Sequence, residues 1–370
     1  MFKSAELIFG ASLLLLLAGC ATTPPREETG PPPVEVTMTN AVVAPAPPVV
    51  AHPVLPPATN HTSEVQINLP PKINRPAPLF TWTSLNNWAL RQKLAPPRKV
   101  ASSPITAYAV SSPRGVMTLI IGSREATWNG VGIHLGYAPE IIDNQVFVYG
   151  RDLQKNLEPL LVNEPLTFGT NRVVVIDPGH GGINGGTICV LDQRPEKDFT
   201  LDCARRLKPL LEASGWQVFL THTNDVDVAI SNRVTFAEQH HASLFISLHF
   251  NSAAPSHRES GLETYCLTPV GLPSTLTRGN PDFLTQSFPN NESDEGNVQL
   301  AMRLHTALLR ASGEEDRGVR RARFMGVLHG QRRPAVLIEG GFLSNPTEAR
   351  HIESAGFRQK LAEAIASVLR

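Results

Sequence analysis

Between Arg172 and Leu369 the apolar positions change period repeatedly, from short continuous runs to spacing that lines one face of a helix. Arg172-Val173-Val174-Val175-Ile176 is β-branched and apolar almost throughout, which suits a buried strand. Glu196 to Ala213 reads as a helix opened by Pro195, Gln217 to Thr221 as a strand, Ala229 to His240 as a helix and Ala242 to His249 as a strand. Gly261 to Leu267 follows as a strand and Val298 to Arg310 as a helix with Val298, Ala301, Leu304 and Leu308 on one face. Ala335 to Glu339 is a further strand and Phe357 to Leu369 a last helix. This alternation predicts an α/β domain over residues 167–370, with a largely parallel sheet flanked by helices.

Upstream, the pattern is of another kind. Thr81 to Leu90 reads as a short helix, Gly115 to Gly122 and Gln145 to Tyr149 as strands, and Asn129-Gly130 as a hairpin turn, so residues 79–165 form a small β-rich module. Residues 21–78 hold 15 of the chain's 32 prolines and few large side chains. Such a stretch cannot bury enough surface to offset its chain entropy and reads as a disordered tether, spanning roughly 40 Å as a coil.

Residues 1–20 place Lys3 before an apolar run from Leu7 to Leu17 and end in Ala18-Gly19-Cys20, a signal peptide too short for a comfortable membrane span. Leu17-Ala18-Gly19-Cys20 resembles a bacterial lipobox. That resemblance implies a lipoprotein of the cell envelope and periplasm, held to a membrane by a lipid on Cys20, with Ala21 pointing to the outer membrane. An uncleaved anchor or an ordinary secretory signal would export the chain equally well. The 33 basic residues balance 33 acidic ones, which leaves no excess cation to hold nucleic acid.

Three apolar strands end in polar residues: Ile176-Asp177-Pro178-Gly179-His180, Ile246-Ser247-Leu248-His249 and Leu337-Ile338-Glu339-Gly340. Ligands in open α/β sheets bind beyond the carboxyl ends of strands, so two histidines and a glutamate can converge there. Glu196 opens a helix nearby in sequence; by itself it reads equally as a solvated acid complementing the helix dipole. His180 is crowded by glycines that admit a substrate, while Glu339 at an apolar strand end is costly unless it has a purpose. Two imidazoles and a carboxylate make an open zinc site, and a second carboxylate can serve as general base. Set against this, a lone histidine at a strand end is more often a structural, hydrogen-bonded residue.

Val174 to Gly182, Glu196-Lys197-Asp198, Ser247 to Asn251 and Pro334 to Asn345 resemble, in order, the four signature blocks of zinc-dependent N-acetylmuramoyl-L-alanine amidases of the AmiC type; Asn232-Arg233 and Arg317-Gly318-Val319 also fit. The resemblance implies zinc bound by His180, Glu196 and His249, with Glu339 as the catalytic carboxylate. It also implies peptidoglycan as substrate, cut between N-acetylmuramic acid and L-alanine of the stem peptide. Asp177 then supports the first ligand or stabilises its turn. Trp128 to Leu161 resembles the copper amine oxidase N-terminal-like domain. Amidases of this type that answer to an activator protein carry a helix over the zinc; here prolines and glycines between Pro269 and Asn297 break any such helix, and a loop at the cleft rim is expected. A zinc endopeptidase cutting the cross-link and an inactive wall-binding lipoprotein are the alternatives. Cys189, Cys203 and Cys266 permit at most one internal disulfide.

Overall fold

A computed structural model describes residues 81–161 and 171–370; the signal segment, Cys20, the tether to Pro78 and residues 162–170 lie outside the described residues. The first segment contains β1 (Trp82–Ser84), β2 (Arg98–Ala101), β3 (Ala107–Ser112), β4 (Gly115–Ile120), β5 (Glu125–Trp128), β6 (Val131–His134), β7 (Glu140–Ile142) and β8 (Gln145–Tyr149). The second contains β9 (Val173–Pro178), β10 (Gln217–Leu220), β11 (Leu244–Asn251), β12 (Leu262–Cys266), β13 (Asp316–Arg321) and β14 (Ala335–Phe342). One sheet runs β10-β9-β11-β14-β12-β13 and continues through β6-β5-β4-β3-β2, while β1-β8-β7 stand apart. The strands β10, β9, β11 and β14 are parallel; β12 is antiparallel to β14 but parallel to β13, and β6 to β2 are antiparallel. The fold is α/β with a mixed sheet, parallel where its strands are most apolar.

Both faces of the parallel part are covered, which is why its strands read as unbroken apolar runs. Val174, Ile176, Ile246, Val336 and Ile338 share a core with the helices Glu196–Glu212, Asp294–Ser312 and Ala355–Val368. Val173, Val175, Phe245, Ala335 and Leu337 face the shorter helices Ile230–Gln239 and Gly326–His329. The first core passes without a break into the N-terminal segment, where it takes in Leu85, Trp88, Met117, Leu119 and Ile133. There Asn129 (φ 53°) and Gly130 (φ 81°) adopt the left-handed geometry that matches a two-residue hairpin to the strand twist.

A buried cation fastens the two segments. Arg321, 2 % exposed on β13, donates from Nε and Nη2 to Asn156 Oδ1 at 3.0 and 2.9 Å, and from Nη1 and Nη2 to the carbonyls of Leu267 and Lys155. Asn156 donates in turn to Asp152 Oδ1 at 2.7 Å, and burial raises Asp152 to about 6 despite the N–H groups of Gly136 and Tyr137 that it accepts. Arg321→Leu strands these acceptors in a dry interior. The expected cost is about 3 kcal/mol, seen as a lower urea midpoint at unchanged slope; an unmoved midpoint would show that the joint contributes nothing to stability.

Candidate metal centre

In the sheet, β11 lies between β9 and β14, all three pointing the same way. His249 pairs with Glu339 and Ser247 with Asp177. Paired positions share a face, and the period of two puts Asp177, Ser247, His249 and Glu339 on the side that carries Val175, Phe245 and Leu337. Beyond the cover of the shorter helices this side opens into a cleft of about 500 Å³, walled by Ile230, Phe324 and Val327 among others.

Glu196 reaches the cleft from the start of its helix and lies between two imidazoles. Its Oε2 is 3.0 Å from His180 Nε2 and its Oε1 is 2.9 Å from His249 Nδ1. The N–H of Phe250 donates to Oε1 at 3.0 Å and the N–H of Thr187 to Oε2 at 3.1 Å, which fixes the carboxylate plane. One ligand atom from each of His180, Glu196 and His249 lies within 4.8 Å of the others, so the three could hold a metal ion. The tautomer of His180 supports this. Asn184 Oδ1 accepts the N–H of Gly186 at 3.3 Å, so it also accepts from His180 Nδ1 at 2.9 Å. That contact leaves Nε2, 3.0 Å from Glu196 Oε2, as the ring atom that would meet a cation held between the two. Two glycines make the room: a Cβ on Gly186 (φ 73°) would sit 2.6 Å from Glu196 Oε2 and from His180 Cδ2, and one on Gly179 would sit 2.3 Å from the His249 ring.

The turn after β9, where His180 itself has φ 67°, is held from behind. Arg233 donates to Asp177 Oδ1, the Pro178 carbonyl and the His180 carbonyl, each at 2.7 Å. Asp177 also accepts Thr221 Oγ1 at 2.7 Å and Ser247 Oγ at 2.8 Å, so it ties three strands together beneath the site. Asp177 and Arg233 stand out in the sequence. Thr221, and Thr200 whose hydroxyl donates to the Gly179 carbonyl at 2.8 Å, do not, because a hydroxyl in an apolar stretch looks like any other.

Charge is divided sharply among these groups. Burial disfavours ionised Glu196, yet hydrogen bonds from His180 and His249 hold it well below the usual carboxylate range. Burial also works against an ionised His249, but Glu196 outweighs it and raises that group. Glu339 is different: its Oε2 is buried without a hydrogen-bond partner, and burial, reinforced by Glu196 and Glu263, pushes it up to about 7 against His249 and Arg278. The three described cysteines are free and buried, and burial lifts Cys203 to about 12. Cys189, Asp192 and Glu353 form a second close group, but the Arg194 guanidinium already bridges the two acids.

The sign of the Glu339 shift gives a test in metal-free protein. The folded state binds this proton more tightly than the unfolded chain, so the contribution is full below about pH 4.5 and is lost as pH rises through about 7. Wild type should therefore lose roughly 3 kcal/mol relative to Glu339→Gln between pH 4 and pH 8, measured by urea unfolding with chelator present. Parallel profiles for the two proteins would contradict it.

Residues 174–370 match the family model of N-acetylmuramoyl-L-alanine amidases. The chain is 34 % identical over 224 residues to the amidase AmiC of Neisseria meningitidis, covering 54 % of this chain and 52 % of that protein. To AmiC of Escherichia coli it is 31 % identical over 244 residues, covering 58 % and 56 %. It thus spans about half the length of these curated relatives. Among solved structures, the catalytic domain of the amidase CwlV from Bacillus (Paenibacillus) polymyxa aligns with a TM-score of 0.45 at 29 % identity, covering 54 % of this chain and 96 % of that one. The ordered blocks at the strand ends and the family match over more than half the sequence agree: this chain belongs to the N-acetylmuramoyl-L-alanine amidase family.

Proposed function

We propose that the protein hydrolyses the amide between N-acetylmuramic acid and the L-alanine of the peptidoglycan stem peptide. The observation that carries this reading is the convergence of His180, Glu196 and His249 on one side of a cleft, beside a buried carboxyl group with an unpartnered oxygen. The donor set of two nitrogens and one carboxylate suits zinc, the three residues being its ligands. Zinc bound there supplies Lewis acidity, polarising a carbonyl and acidifying water. Glu339 then acts as the proton carrier: Oε2 takes a proton from the attacking water and returns it to the alanine nitrogen as the C–N bond breaks and the C–O bond forms. Arg233 and Asp177 keep the His180 turn in place, and Ile230, Phe324 and Val327 wall the cleft beside it.

We also propose that the chain is exported and held to the outer membrane of the cell envelope by a lipid on Cys20, with the proline-rich stretch spanning toward peptidoglycan. Cys20→Ser should move the protein from the membrane pellet to the soluble fraction, and retention in the pellet would refute the anchor.

Incubated with purified peptidoglycan, the zinc-loaded protein should release peptides with a free L-alanine amine and leave unsubstituted muramic acid, as identified by mass spectrometry. A chelator should abolish the release. Glu339→Gln should bind zinc yet lower kcat about 10²- to 10⁴-fold. Full activity of that variant would remove Glu339 from the mechanism, and peptides cut within the cross-link would replace the amidase reading by the endopeptidase one.

A further inference from the structure

The chain between β12 and the helix Asp294–Ser312 forms no α-helix; only a 3₁₀ turn, Pro289–Ser293, precedes that helix. Its base is pinned from several directions. Asp282 accepts the N–H and hydroxyl of Ser274, both at 2.7 Å, and pairs with Arg323, which also donates to the carbonyls of Pro269 and Leu272. The N-terminal segment adds Arg124, which donates to the carbonyls of Pro273 and Ser274 at 3.2 and 3.1 Å, and Arg151, which donates to that of Val270 at 3.0 Å. A loop fixed in this way can present a side chain at a defined place.

What it presents is Arg278, at a tip where Arg278 (φ 48°) and Gly279 (φ 76°) both turn left-handed. Arg278 is exposed, yet its guanidinium is placed: it lines the cleft, lies 5.6 Å over the Phe324 ring and donates from Nη2 to Asn251 Oδ1 at 3.2 Å. The Asn251 amide cannot flip away, because its Nδ2 donates to Glu263 Oε2 at 2.9 Å and its Oδ1 also accepts the N–H of Ser252. Glu263 is itself taken up by Arg317, Arg320 and Tyr265 and offers Arg278 nothing. Of the cleft's other charges, Arg233 is paired with Asp177, Glu196 lies against both imidazoles, and Glu339 feels the Arg278 charge without forming an ion pair with it. Arg278 has a neutral amide as its hydrogen-bond partner, with most of its five N–H donors left for something else.

We propose that Arg278 is a specificity-determining residue that docks a carboxylate on the peptide part of the substrate, orienting the muramoyl amide over the metal centre. A planar guanidinium held against an aromatic ring and an amide oxygen favours a carboxylate over a neutral group. The proposal rests on the amidase reading and names the substrate feature that this chain's own loop selects. The carboxylate could be a peptide side chain or a peptide terminus, and both share this chemistry.

Four synthetic substrates separate the cases: N-acetylmuramoyl-Ala-Glu and N-acetylmuramoyl-Ala-Gln, each as the free terminal acid and as the terminal amide. For zinc-loaded wild type, neutralising the docked carboxylate should lower kcat/KM about fivefold or more, mostly through KM. Which substitution does so identifies side chain or terminus. Arg278→Gln should lose that factor on the acid and show no preference, so the ratio between substrates, which a general loss of structure would leave intact, is the readout. Equal loss on all four substrates, or a wild type indifferent to the carboxylate, would overturn the proposal alone. Cleavage of none of them by zinc-loaded wild type would overturn the amidase reading and this inference with it.

Discussion

The cleft depends on one carboxylate held between two imidazoles. Glu196 is 4 % exposed, and an ion so placed is costly unless every lone pair is engaged. Each of its oxygens faces one imidazole nitrogen and one backbone N–H, which meets that requirement. The cost of leaving any of these contacts unmade is what forces the surrounding chain into its shape. Gly179 and Gly186 lack side chains where a Cβ would strike the cluster, His180 tolerates a left-handed backbone, and Arg233 ties down the turn that carries it. A substitution at Gly179 acts on the cluster through space alone, whereas one at Gly186 also strains a left-handed backbone.

The rest of the sheet serves this arrangement by making its ends rigid. The strands that position the cluster are central and buried on both faces, and the N-terminal segment extends the same sheet past β13. Contact between the segments is narrow in the backbone, one β13–β6 pairing at Val319 and Ile133 with Gly132 and Gly318 packed against each other. It is wide in side chains: Arg321, Arg124 and Arg151 each reach across to carbonyls of the other segment. Arginine suits this joint because one planar group can satisfy several acceptors that would otherwise be buried dry. The N-terminal segment thereby acts on the cleft through the loop that carries Arg278.

How much of this the sequence discloses follows from where information about a residue is stored. Strands β9, β11 and β14 are legible because burial on both faces demands uninterrupted apolar side chains, and the polar residues that end them stand out against that background. Strand β13, Asp-Arg-Gly-Val-Arg-Arg, is not legible: charges dominate it, and it is a strand only because β12 lies beside it and its arginines find Glu263 and Asn156 elsewhere in the chain. The helix Pro346–Glu353 has a local signal in Asn345, whose side chain caps the N–H groups of Thr347 and Glu348, but eight residues are too few to show a period. The merging of the two segments into one sheet leaves no periodic trace either, since it rests on pairings between residues more than 180 apart. Within the cluster, the histidines announce themselves by type. Glu196 does not, because an acid in the first turn of a helix is ordinary until its partners are known.

Buried carboxyl groups gather at the carboxyl ends of β9, β11 and β14, and their partners set them apart. Asp177 faces a guanidinium and two hydroxyls and is fully engaged, which suits it to holding strands together. Glu196 faces two imidazoles and stays ionised, which suits it to binding a cation. Glu339 has burial that His249 and Arg278 only partly offset, and the neighbouring negative charge of Glu196 pushes it further toward holding a proton near neutral pH. The last two therefore act on each other: the charge that would suit Glu196 to a cation helps make Glu339 a group that can take up and release a proton. Divergent environments for neighbouring acids are how one small site obtains both a fixed charge and a mobile proton. A bound cation closes the circuit, since it would offset the Glu196 charge and ease Glu339 toward its ionised form when metal is present. The same two residues would then link metal loading to readiness for proton transfer without any further moving part.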